Sequence, residues 1–277
     1  MASTGSDWRA LLGGGATAEE LLKLASDPAA DVEALGALAG DVASLRRVPA
    51  LVAALYRNAR TPMTVAHRAI VTARQEGLTC DDFPELAELA AQIEADPDAL
   101  VPERADASFV ATLAATSGTA EEDAEEPPTG ETPVAAPKGE RKSAIIDFSK
   151  LKLYEKIRLA TLGNAYCRQN LLRDANRMVA LAAIRSPQIT DGEVAKAAGN
   201  RALSEDVVRY IANRKEMVKQ YAVKLALVGN AKCPLAIALR LLPSLHGEDI
   251  KHLARSKNVP GALSAAAKKL AAARGPQ

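Results

Sequence analysis

The chain has 277 residues, with 35 Lys/Arg against 34 Asp/Glu, a formal net charge of +1, and 48% apolar residues of which few are rings: aromatics make up only 3%. That much apolar material can bury a core in one or two domains, and a core of Ala, Leu, Val and Ile favours closely packed helices. No alternating β-branched run closed by a hairpin turn is present, which argues against an all-β or α/β plan, and no apolar run reaches the roughly 18–20 residues of a membrane span.

The near-zero total hides two opposite halves. Residues 1–137 hold 9 Lys/Arg against 23 Asp/Glu, a net of −14; residues 138–277 hold 26 against 11, a net of +15. A basic half of this kind suits an acidic partner or a phosphate backbone. Cys80, Cys167 and Cys233 are an odd set with no disulfide framework, as in a reducing compartment. The opening segment lacks a basic stretch followed by a long apolar core, so a cytoplasmic location is expected.

Residues 1–16 read as a tail, with Trp8 able to pack on the first repeat. From 17 to 103 the pattern is helical. Thr17-Ala18-Glu19-Glu20 has the form of a capping box ahead of Leu21, Leu22 and Leu24, and Ser26-Asp27-Pro28 stops the run. Further helices are expected over about 31–38, 41–56, 62–75 and 82–93, the third of these opened by Thr61 as N-cap with Pro62 behind it. Residues 104–143 read as a disordered acidic linker rich in Glu, Pro, Thr and Gly, with a short helix conceivable over 107–115. Its Glu121–Glu126 run has the charge to lie against the basic half and compete with a partner.

A second helical domain is expected over 144–277, with helices at 151–162, 165–174, 177–184, 191–198, 205–212, 217–228, 234–242, 248–255 and 260–273. Thr190-Asp191-Gly192-Glu193 is another capping box. Gly-Asn pairs recur at Gly163-Asn164, Gly199-Asn200 and Gly229-Asn230, and a left-handed Gly or Asn is the expected way to close each helix. Asn230-Ala231-Lys232-Cys233-Pro234 is matched by Asn58-Ala59-Arg60-Thr61-Pro62, and more loosely by Asn164-Ala165-Tyr166-Cys167-Arg168, in which Cys167 and Cys233 occupy equivalent places. The pattern is a stop signal followed by a start signal, repeated at the length of a helical hairpin.

The segments LVGNAKCPLAIALRLL, LYRNARTPMTVAHRAI and ALAAIRSPQITDGEVAKAAG resemble HEAT-like helical repeats, especially the leucine-rich-repeat-variant branch, in which an Asn-Pro-x-Thr-Pro-like turn separates helices. The resemblance implies an all-α helical-repeat fold, an α-solenoid in two segments joined by the linker, that binds a partner on a curved face. It implies no reaction.

Nothing in the sequence assembles a catalytic or cofactor site. His67, His246 and His252 lack the spacing of a zinc site, no phosphate-binding or nucleophile-elbow motif occurs, and the acidic pairs fall at helix starts. No cofactor and no metal are expected, and the chain reads as a non-enzyme. The functional signal is the basic half. Arg168, Arg173, Arg177, Arg185, Arg201, Arg209, Arg214, Lys215, Lys219 and Lys232 recur through successive repeats and are the candidates for a basic face, along which a solenoid can array part of them. That face suits a scaffold or adaptor holding an acidic protein partner. The alternative is sequence-nonspecific nucleic-acid binding, weakened by the few rings on which bases could stack.

Overall fold

A computed structural model of the chain describes residues 8–10, 12, 15–81, 83–116 and 147–274. Among them the secondary structure is helical throughout, without a strand. The chain forms two compact units, residues 1–164 and 165–277. No helix among the described residues is long and apolar enough to cross a membrane.

The first unit contains α1 (Trp8–Ala10), α2 (Ala18–Ser26), α3 (Val32–Gly40), α4 (Val42–Arg47), α5 (Ala50–Arg57), α6 (Met63–Gln75), α7 (Leu86–Glu94), α8 (Pro102–Thr116) and α9 (Leu153–Leu162). α2 packs on α5, α3 on α6, and α9 on both α5 and α7. Leu21, Leu35, Leu38, Leu51, Leu55, Ile70, Leu89 and Ile93 are fully enclosed, and burying each such side chain stabilises the fold by about 2 kcal/mol. The Thr17 capping box forms: the Thr17 amide donates to Glu20 Oε2 at 2.7 Å and the Glu20 amide to Thr17 Oγ1 at 3.3 Å.

The structure corrects several sequence expectations. The run 41–56 is two helices, because the proline at 49 disfavours helical geometry at Val48, whose φ is −136°. Residues 104–116, expected to begin the linker, lie in α8, while the rest of that segment, including Glu121–Glu126, lies outside the described residues. The expected start of the second domain at 144 is not the boundary of the compact units, since α9 belongs to the first. Thr61 is not the N-cap of α6, which falls on Pro62 without a side-chain cap. Asp106 of α8 supplies the missing acceptor instead: the Thr64 amide and hydroxyl donate to its two carboxylate oxygens, each at 2.9 Å.

The second unit contains α10 (Ala165–Leu171), α11 (Arg177–Ile184), α12 (Asp191–Gly199), α13 (Glu205–Asn213), α14 (Lys215–Val218), α15 (Tyr221–Gly229), α16 (Leu235–Leu241), α17 (Gly247–Arg255) and α18 (Gly261–Arg274), with a 3-10 turn at Leu242–Ser244. α11 packs on α13, α12 on α15, and α16 on α18. The expected helix 217–228 is broken at Gln220, whose backbone is extended. Beyond the break, the Tyr221 hydroxyl donates to Asp249 and accepts the His246 amide at 3.0 Å, tying α15 to the start of α17.

Candidate functional site

The recurrent turn is built differently from the left-handed closure expected of the Gly-Asn pairs. Gly163 closes α9 at φ −70°, and Asn200 and Asn230 close α12 and α15 at φ −80° and −96°, all extended backbone. Among the described glycines only Gly77, after α6, has a positive φ, of 65°. The turns instead close through a side-chain oxygen that accepts the amide two residues on, an Asx turn. Asp27 accepts from Ala29, Asn58 from Arg60, Asp96 from Asp98, Asp174 from Asn176, Asn200 from Ala202 and Asn230 from Lys232, at 2.8–3.0 Å. Ser186 and Ser256 do the same through hydroxyls at 3.3 and 3.2 Å. Any of Asp, Asn or Ser serves, so the repeat is wider than its Gly-Asn spelling.

Two of these asparagines also join one turn to the previous one. Asn58 is buried, and its Nδ2 donates to the Ala25 and Asp27 carbonyls at 2.8 and 2.9 Å, pairing groups left open at the end of α2. Asn230 is buried in the same way and donates to the Ala198 carbonyl at 2.8 Å, at the end of α12. Replacing Asn230 by alanine strands that buried carbonyl and takes the acceptor from the part-buried Lys232 amide, and is expected to destabilise the second unit by about 2 kcal/mol. Aspartate is expected to be worse than alanine, because it points a carboxylate at the same carbonyl. Urea unfolding followed by far-UV circular dichroism checks both, and an aspartate variant as stable as the wild type removes this role.

The same turns carry exposed cations. Arg201, in the α12–α13 turn, donates to the Gly229 and Asn258 carbonyls at 3.3 and 3.4 Å, and Lys232, in the α15–α16 turn, donates from Nζ to the Leu203 carbonyl at 2.5 Å. The α12–α13, α15–α16 and α17–α18 turns therefore lie side by side. Arg177, at the start of α11, pairs with Asp206 at the start of α13 at 3.3 Å, which brings the Arg173-bearing α10–α11 turn to this edge. Lys257 adds an exposed cation in the α17–α18 turn. The result is a ridge on which neighbouring turns each present positive charge.

The ten candidate residues do not share one face. Arg173, Arg177, Arg201 and Lys232 lie on the ridge, and Arg209 stands one turn into α13, paired with Glu205. Arg185 and Arg214 lie at the far ends of α11 and α13, each with its guanidinium carbon 5.0 Å from the Tyr210 ring centroid. An eight- or nine-residue helix places those ends about 12 Å from the ridge. Lys215 and Lys219, exposed around α14, follow Arg214 on that side. Arg168 is the clear correction: it is 4% exposed and pairs with Glu193 through Nε–Oε1 at 2.9 Å and Nη2–Oε2 at 3.1 Å. Burial raises the Glu193 carboxyl, but Arg168 and the Thr190 amide and hydroxyl outweigh it and hold the group below its ordinary value. Arg168 thus ties α10 to the capped start of α12 and is lost to the surface.

Arg158, counted by composition with the basic half, is fully buried in the first unit. Its Nη2 donates to the Thr61 carbonyl and, at 3.3 Å, to that of Asn58, and its guanidinium carbon sits 5.0 Å from the Phe109 and 5.8 Å from the Tyr56 ring centroids. Nearby, His67 is enclosed, with Nδ1 2.6 Å from the Ala99 carbonyl and its ring edge-on to Tyr154. Burial pushes the His67 pKa down to about 4, against the pull of that carbonyl. Among the described residues Thr61 Oγ1, His67 Nε2 and Arg158 Nε have no hydrogen-bond partner. All three belong to interior packing between helices.

The three cysteines are buried, and none is in a disulfide. Cys233 sits in the α15–α16 turn, where burial pushes its thiol up to about 11, away from thiolate chemistry. Cys167 lies within α10 and is not its positional equivalent. Among the described residues no group of three His, Cys, Asp or Glu side chains is placed to hold a metal ion. No known family model matches the sequence, and neither a curated protein nor a solved structure does.

Proposed function

We propose that the chain is a non-enzymatic scaffold or adaptor, built from HEAT-like helical repeats, whose second unit holds an acidic protein partner. The observation that carries this reading is the cationic ridge. The second unit holds 19 Lys/Arg against 8 Asp/Glu, and its carboxylates are largely engaged internally: Glu193, Glu205, Asp206 and Glu248 in ion pairs, Asp249 with Tyr221. Among the described residues Arg173, Lys196, Arg214, Lys215, Lys219, Lys224, Arg240, Arg255 and Lys257 have no carboxylate partner. Their field attracts a polyanion.

A protein partner is favoured over nucleic acid by the state of the rings. Tyr210 is engaged by two guanidiniums and Tyr221 by Asp249 and His246, so both rings already have partners within the unit that a stacking base would have to displace. The test is fluorescence anisotropy of the full chain with a labelled glutamate-rich peptide, a short duplex DNA and a single-stranded RNA, at low and near-physiological salt. The peptide is expected to bind, and Arg173→Glu with Lys257→Glu is expected to weaken it about tenfold, mostly through salt-sensitive attraction. Tighter binding of either nucleic acid, with a steep salt dependence, favours the alternative reading and sinks this one.

A further inference from the structure

α16, which packs on α18, carries the two large apolar side chains that stand exposed among the described residues of the second unit. On α16, Leu235 and Leu239 are 39% and 36% exposed, with Ala236 and Arg240 exposed beside them, while Ala238 and Leu241 on the opposite side are buried. Positions four apart lie on one face of a helix about 5–6 Å from each other, so the two leucines form a continuous apolar spot. On α18, Lys268 and Lys269 are exposed among the alanines.

Neither helix contains a carboxylate: their sequences are LAIALRL and GALSAAAKKLAAAR. Two exposed cations elsewhere in this unit find acids within a helical turn, Arg209 in Glu205 and Lys251 in Glu248. Among the described residues Arg240, Lys268 and Lys269 have no such partner. The turns that open the two helices carry Lys232 and Lys257, so the surface continues from the cationic ridge.

We propose that the α16–α18 face docks an acidic amphipathic helix of the partner protein, with apolar side chains four residues apart on Leu235 and Leu239 and carboxylates toward Arg240, Lys268 and Lys269. This rests on the acidic-partner reading and adds what kind of acidic segment is taken. Charge complementarity selects an anionic occupant. The exposed leucines select one with an apolar stripe, because a phosphate backbone gains nothing from leucine and a plain acidic tail leaves that spot wet.

The probe is a synthetic helical peptide with two leucines four positions apart and glutamates at its other exposed positions, titrated against the full chain by anisotropy beside a leucine-to-glutamine version of the same peptide. The leucine peptide is expected to bind about tenfold more tightly than the glutamine one, and Leu235→Ser with Leu239→Ser is expected to remove that difference. Arg240→Glu with Lys268→Glu and Lys269→Glu is expected to weaken both peptides. Equal binding of the two peptides, or a serine variant that binds like the wild type, overturns the docking site while leaving a charge-reading ridge intact. Peptides indifferent to the charge reversals as well as to the ridge substitutions overturn the acidic-partner reading too. Binding to vesicles of anionic lipid with no binding to either peptide overturns the proposal in favour of a membrane surface. Because the peptide comparison uses unaltered protein, it does not depend on any variant folding.

Discussion

Replacing Arg158 by alanine is expected to destabilise the first unit by about 4 kcal/mol, through the cavity left by a large buried side chain and the loss of its charge-assisted hydrogen bonds. Burial pulls the guanidinium pKa down only to about 10, against the attraction of the Asp106 carboxylate, so it stays protonated at neutral pH although among the described residues no carboxylate forms an ion pair with it. Its charge is met by two turn carbonyls, the Met63 sulfur at 3.2 Å and two ring faces. The Asn58 carbonyl also accepts the Thr61 amide at 3.1 Å, so the group stranded by the substitution is chiefly the Thr61 carbonyl. Methionine is therefore expected to recover about half the loss, since it refills the volume and removes a desolvated charge but leaves that carbonyl unpaired. Trp8 is the only tryptophan and lies in the first unit, so urea unfolding followed by its fluorescence reads this unit separately from the whole-chain circular dichroism. An alanine variant within about 1 kcal/mol of the wild type, against the scale of buried-group losses, shows that the guanidinium is incidental.

Arg158 also marks the limit of what the residues alone disclose. The helices were legible because their punctuation is local: Thr17 with Glu20 and Thr190 with Glu193 are capping boxes in sequence and in structure. The turns were half legible. Their recurrence showed in the Gly-Asn spelling, but the working group is the side-chain oxygen, and Ser26-Asp27-Pro28, Asp96-Pro97-Asp98 and Ser186-Pro187 carry the same device without a Gly-Asn pair. An Asp, Asn or Ser three residues ahead of an apolar one, as in Asp27 with Ala30, Asp96 with Ala99 and Asn200 with Leu203, spells most of them, whereas Asn58 is followed by Thr61 and Asp174 by Arg177.

Partnerships across distant sequence were not legible. Asp106 caps α6 from 42 residues away, Arg168 meets Glu193 across 25, and Arg158 meets Thr61 across 97. Nothing near these residues distinguishes them from surface charges, because a helix turns one arginine inward and the next outward according to neighbours that composition does not name. For the same reason the basic half could be counted but not oriented. The ridge exists because Arg201 and Lys232 stand in turns that touch, whereas Arg185 and Arg214 stand a helix length away around Tyr210.

Acidification from pH 6.5 to about 4 is expected to cost the first unit about 3 kcal/mol through His67 alone. In the unfolded chain this imidazole takes a proton near its ordinary value of 6.5; in the folded chain burial delays protonation to about 4. Between those values the unfolded state binds more protons, so stability is complete above about 6.5 and falls as the pH drops, levelling out below about 4. The charged groups facing His67 shape this window without setting it: Arg158 lowers the value further, while Asp106 and Asp96 raise it. Asp96 itself titrates later. Burial raises its carboxyl, but Lys152, the Asp98 amide and the Tyr154 hydroxyl together hold it below the ordinary carboxylate value, so its contribution disappears at lower pH. Urea midpoints read from Trp8 fluorescence across this range separate the two. His67→Asn keeps a donor for the Ala99 carbonyl but does not titrate, and its stability is expected to stay flat down to about pH 4.5, where ordinary carboxylates begin to protonate. If the asparagine variant loses stability in parallel with the wild type from pH 6.5 downward, the acid sensitivity belongs to other groups and the buried imidazole is not its source.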